Sequence, residues 1–76
     1  MWISKRKYRN ILTTIKFYRQ LSVEAYRDFI RRSDIELHRG NYEESANLVD
    51  IACECRGEAV RLKEIYDMIR HEIEGA

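Results

Sequence analysis

The sequence predicts an all-α fold: two long antiparallel helices joined by one tight turn. Three observations predict it. An apolar seam runs without a slip through Ser45, Leu48, Ala52, Cys55, Ala59, Leu62, Tyr66, Ile69 and Ile73, in steps of three and four residues that a helix brings onto one line. A second set, Tyr8, Ile11, Ile15, Tyr18, Ser22, Ala25 and Phe29, steps in the same way. Gly40 lies between the two sets, and the 76 residues contain no proline and only three glycines, so few other places force a turn.

The first helix is expected over about residues 3–38. Leu12, Tyr26, Ile30, Ser33 and Leu37 widen its stripe to one side, as a straight helix does when it drifts against a seven-residue repeat. Ser22 could cap a new helix, but no Gly or Pro stands beside it, so a continuous or kinked helix is expected. His38 and Arg39 suit a helix C-terminus, and Gly40 can take the left-handed conformation just past it. Asn41 then begins the second helix, where Asn41 and Glu44 have the spacing of a capping box. Gly57 costs this helix about 1 kcal/mol relative to Ala, yet the seam keeps phase from Cys55 through Ala59 to Leu62, so the helix continues.

Arms of similar length joined by a tight turn pack antiparallel. Reflection about Gly40 sets Phe29 level with Ala52, Ala25 with Cys55, Tyr18 with Leu62 and Ile11 with Ile69. The hairpin is a single domain, residues 1–76, and too small to bury much core alone. Leu21, Val23, Ile35, Ile51, Val60, Ile65 and Met68 lie off the main lines and are still apolar. Monomers seldom expose such a patch. Self-association is the expected remedy, with a dimeric four-helix bundle the simplest form.

The chain resists an enzymatic reading. Cys53 and Cys55 diverge on a helix and lack the Cys-x-x-Cys spacing of zinc or redox sites, so they are expected as two small buried thiols in a reducing compartment. His38 and His71 fall at opposite ends of the hairpin, and neither has Glu three residues before it, as a bundle metal site wants. Asp34 and Asp67 each precede a histidine by four residues and can pair with it along the helix. The four serines have no histidine at a useful offset, and no glycine-rich phosphate loop is present. No catalytic residue, metal site or cofactor is therefore expected. No apolar run approaches the ~20 residues of a membrane span, and a cytoplasmic protein is expected.

Charge is where the sequence points to a partner. The formal net charge is only +1. Residues 1–39, however, hold ten Lys/Arg against four Asp/Glu, and residues 40–76 hold four against nine. Antiparallel arms can neutralise one another: Arg27 and Arg31 come level with Asp50 and Glu54, and the basic start comes level with Glu64, Asp67, Glu72 and Glu74. Ten arginines against four lysines favour planar contact with phosphate or carboxylate, and five tyrosines accompany them. Arg6, Arg9, Arg27, Arg31 and Arg32, with Tyr26, are the candidate ligand-binding residues. Tyr18 and Tyr66 are expected in the core. The run Lys5-Arg6-Lys7-Tyr8-Arg9 offers the alternative of a nucleic-acid-binding module. Trp2 and Ile3 are expected to close the open end of the bundle against Ile73, in preference to lying on a membrane.

Two resemblances add to this reading. Gly40-Asn41-Tyr42-Glu43-Glu44-Ser45, followed by Val49 and Ala52, resembles the second-helix start of a tetratricopeptide repeat. One copy without the terminal proline implies shared hairpin packing. The opening Met-Trp-Ile-Ser-Lys-Arg-Lys-Tyr resembles the starts of small helical proteins encoded by phages and mobile elements of Gram-positive bacteria. Such proteins often act by binding, as inhibitors of host machinery or as oligomeric sponges for signalling nucleotides. The resemblance thus implies a non-enzymatic homo-oligomer holding a nucleotide or an acidic protein partner.

Overall fold

A computed structural model describes residues 4–74. Two helices, α1 (Lys5–His38) and α2 (Tyr42–Glu74), pack against each other along their length. The hairpin is 56 Å long and 17 × 13 Å in section. The expected closure by Trp2 and Ile3 lies outside the described residues.

Ser4 starts α1: its backbone is extended and its hydroxyl accepts from the Lys7 amide at 3.2 Å, which satisfies one of the free amides of the first turn. The helix then passes Ser22 without a break, since no residue before Gly40 disfavours helix strongly enough to stop it.

The turn is closed differently from the expectation. The Gly40 amide donates to the Leu37 carbonyl at 3.1 Å and the Asn41 amide to the Glu36 carbonyl at 2.9 Å. This pair of bonds is a Schellman motif, with Gly40 at φ +83°. Asn41 turns its side-chain amide back to Glu36 at 2.6 Å, in place of the capping box expected with Glu44. Glu36 thereby holds both sides of the turn, because Arg39 also reaches it at 3.2 Å.

The register agrees with the reflection about Gly40. Near the turn, the Ser45 hydroxyl donates to the Ser33 carbonyl at 2.8 Å. At the far end, the Tyr8 hydroxyl donates to the Glu74 carboxylate at 2.9 Å.

The rotation of α1 about its own axis differs from the expectation. Ile11 and Tyr18 do not face α2; they are 39% and 55% exposed. Leu12 and Tyr26 are half-buried and Ser22 and Ser33 are buried, so the line meeting α2 runs through Tyr8, Leu12, Ile15, Ser22, Tyr26, Phe29 and Ser33. The residues buried across from it are Ser45, Leu48, Ala52 and Ala59. Near the turn a small residue meets a small one: Ser33 and Ser45 come close enough for their direct hydrogen bond. Farther along, Ile11 and Tyr18 lie out on the flank.

Candidate functional site

The described residues offer open, shallow grooves, so the surfaces of the hairpin are where a partner would be met. A seven-residue repeat has positions on either side of its seam, and on α2 the two sides differ in chemistry. One line holds Ile51, Glu58, Ile65 and Glu72; the other holds Val49, Arg56, Lys63 and Arg70.

The first line belongs to an apolar flank. Ile65 is 44% exposed, and helix spacing with the antiparallel register sets the exposed Ile11, Tyr18 and Leu21 of α1 on the same flank. Phe17 and Met68, more than half exposed, border the patch. The Phe17 and Tyr18 rings meet edge to face at 5.8 Å, so the aromatic part of the patch is partly ordered by itself. Among the described residues only Leu48, Ala52 and Ala59 are buried apolar side chains, whereas twelve large apolar ones are exposed. The hairpin hides little of its apolar surface.

The second line borders a groove of about 340 Å³ between the helices. Val23, Ala59 and Val60 make its apolar floor, Arg19, Arg56 and Lys63 supply cations, and Glu64 and Asp67 stand on the α2 side. Arg19 falls on the seam line of α1 yet is exposed, and it lines the groove. Beyond the groove, Lys16 and Arg70 both lie over the Tyr66 ring, at 5.6 and 5.9 Å. Tyr66 is half-buried and carries these cations on its face.

The candidate ligand residues do not converge. Arg6, Arg9, Arg27 and Arg31 are exposed, and 18 residues of helix put Arg9 and Arg27 about 27 Å apart. Arg32 pairs with Asp28 at 3.0 Å and lies over Phe29 at 5.5 Å. Tyr26 is half-buried at the seam. They form an N-terminal patch and a separate mid-helix patch. Arg19, Arg56 and Lys63, which the sequence reading passed over, do share one groove. Their signal was the spacing of Arg56, Lys63 and Arg70, each one residue after a seam position.

The charge asymmetry of the two halves is not resolved by ion pairs across the hairpin. Among the described residues every ion pair joins groups three or four apart in sequence. Arg27 and Arg31 make none with Asp50 or Glu54. Their line points away from α2, so the expected cross-pairing has no geometry to act through. Of the carboxylates expected to face the basic start, Glu74 accepts a hydrogen bond from α1, through Tyr8. Glu74 also accepts from Arg70 at 3.3 Å. The hydrogen bond from Tyr8 and then that from Arg70 hold the Glu74 carboxyl below its usual value. Desolvation and then Glu74 raise the Tyr8 phenol above its usual value.

His38 sets Nδ1 2.8 Å from the Asp34 carbonyl and 3.6 Å from the Asp34 carboxylate. Asp67 pairs with Lys63 at 3.6 Å instead of with His71. Cys53 is exposed and Cys55 half-buried, in place of the burial expected of both, and both are free. Among the described residues no group of His, Cys, Asp and Glu could hold a metal ion, and no helix is long and apolar enough to cross a membrane.

No protein-family model, curated protein or solved structure matches this chain.

Proposed function

We propose that the chain is a non-enzymatic binding protein that works as a homo-oligomer, with two hairpins forming a four-helix bundle in the cytoplasm. It holds an anionic partner through arginines on the outside of that bundle. The inhibitor or nucleotide-sponge role implied by the phage-type opening belongs to this same reading.

The observation that carries it is the apolar flank. Ile11, Tyr18 and Leu21 of α1 and Ile65 of α2 lie on one flank and are partly exposed, on a chain with few buried apolar side chains of its own. Fully burying a large apolar side chain contributes roughly 1.5–3 kcal/mol, so a second copy seated here recovers several such increments. A two-fold axis along the bundle suits the chemistry. It sets α2 of each copy beside α1 of the other, and so keeps the Glu58 and Glu72 line away from its own equivalent, where like charges would repel.

The test is the pair Tyr18→Glu with Ile65→Glu, followed by sedimentation. The variant should sediment as a helical monomer at concentrations where the parent chain is a dimer. An unchanged dimer would remove this flank as the interface.

A further inference from the structure

The groove on the other side of the seam is not needed for that assembly, and its chemistry is specific enough to name what it takes. We propose that it binds an amphipathic, acidic α-helix of a partner protein, which lies as a third helix along the Arg56–Lys63–Arg70 line. This deepens the binding role proposed above and rests on it.

Four features point to a helix. The groove lies between two packed helices, and the gap beside such a pair is where a third helix seats its ridge. Its floor is apolar, made by Val23, Ala59 and Val60, as the seat of an apolar helix stripe must be. The cations of α2 recur every seven residues, about 10.5 Å apart. That is the interval of glutamates on the flank of a heptad helix, whereas phosphates on one nucleic-acid strand recur every ~3.4 Å along its axis. Lastly, single-strand binding stacks bases on open aromatic rings. Here Tyr66, the ring beside the row, already carries Lys16 and Arg70.

The cations are available. Arg19 and Arg56 make no ion pair among the described residues. Lys63 reaches Asp67 at 3.6 Å and Arg70 reaches Glu74 at 3.3 Å, with all four groups well exposed, pairings of little strength. No acidic residue interrupts the line Arg56, Lys63, Arg70. Glu64 and Asp67 also border the groove, and against the three cations Arg19, Arg56 and Lys63 they leave its lining with a net positive charge.

The probe is a synthetic three-heptad helix with a Leu/Ile stripe and Glu on its flanks, labelled for fluorescence anisotropy and titrated with the full chain. Its counterpart carries Lys in place of each Glu. The Glu helix should bind saturably and the Lys helix should not. Arg56→Glu with Lys63→Glu should weaken the Glu helix by about tenfold or more and give measurable binding to the Lys helix. Should that double reversal lose helicity, Arg56→Gln with Lys63→Gln carries the test and should weaken the Glu helix severalfold.

No saturation by the Glu helix, or affinity unmoved by these substitutions, overturns the proposal. So does tighter binding of a single-stranded oligonucleotide of matching charge. The mass of each protein, measured in parallel, separates this from the assembly. A dimer that ignores the Glu helix refutes the groove alone, and a monomer that binds it refutes the bundle alone.

Discussion

Ala52→Leu examines the close packing of the seam most sharply. Ala52 is the one seam residue with no exposed surface, on a stretch of α2 where Ala59 and Ser45 are also buried. Leucine is nearly as good a helix former as alanine, so any loss of stability reports packing and not propensity. Three extra heavy atoms must either push α1 and α2 apart or force strained rotamers. Overpacking of this kind costs about 1–3 kcal/mol, and parting the helices also strains the Ser45–Ser33 hydrogen bond. For a domain of this size each kcal/mol moves the melting temperature by about 4–8 °C, so the expected drop is roughly 5–20 °C. The assay is thermal melting by circular dichroism at one fixed protein concentration, since an assembling chain melts in a concentration-dependent way. Ala46→Leu is the control, because Ala46 is exposed on the same helix and should leave the midpoint nearly unchanged. A midpoint for Ala52→Leu equal to that of the control would refute the close approach of the two backbones.

Two glycines should respond in opposite directions. Gly40→Ala should lose about 1–2 kcal/mol of stability, through the left-handed φ of +83° alone, since a Cβ there meets no atom within 4 Å. Gly57→Ala should gain up to about 1 kcal/mol, again with no atom within 4 Å of the added carbon; matched losses in urea midpoints would show that Gly57 is not helical. Ser45→Ala removes the buried bond to Ser33 and should cost about 0.5–1.5 kcal/mol, read as a lower urea midpoint at constant slope. The Tyr8–Glu74–Arg70 contact should be pH-bounded. The lowered Glu74 carboxyl stabilises the fold above its ordinary value of 4.5, and that contribution is lost as pH falls through the lower folded value. The raised Tyr8 phenol stabilises below its ordinary value of 10.0, and that is lost as pH rises past the higher folded value. The difference in melting temperature between the parent chain and Tyr8→Phe should therefore be largest between these limits and shrink on both sides; a constant difference would exclude the contact.

Much of the fold is legible in the residues. Gly40 between two phase-keeping stripes announces the turn, and the register follows from arm length. The roll of α1 is not legible in that way. Tyr18 and Tyr26, or Ile11 and Leu12, are equally apolar, and a stripe this wide does not say which edge faces inward. The choice is made in three dimensions, where Ser33 can come closer to Ser45 than a bulky residue can. The Schellman closure was half-visible: Gly40 was expected past the helix end, but Asn41 had two uses, and Glu36 competes with Glu44 for it. The candidate site suffered from reading charge by sequence neighbourhood. Arg27 and Arg31 look alike with Arg19 in a run of helix, yet only Arg19 falls on the line that meets α2. The Arg56, Lys63 and Arg70 row hid among acidic residues because its members are seven apart.

The central claim is that one hairpin leaves apolar surface that a second copy covers. The mass of the full chain in solution, followed across a dilution series, tests it most directly. Twice the 9.2 kDa of the single chain at micromolar concentration, dissociating on dilution with loss of helicity, is the result predicted. A stable, fully helical particle of single-chain mass throughout the series would contradict it.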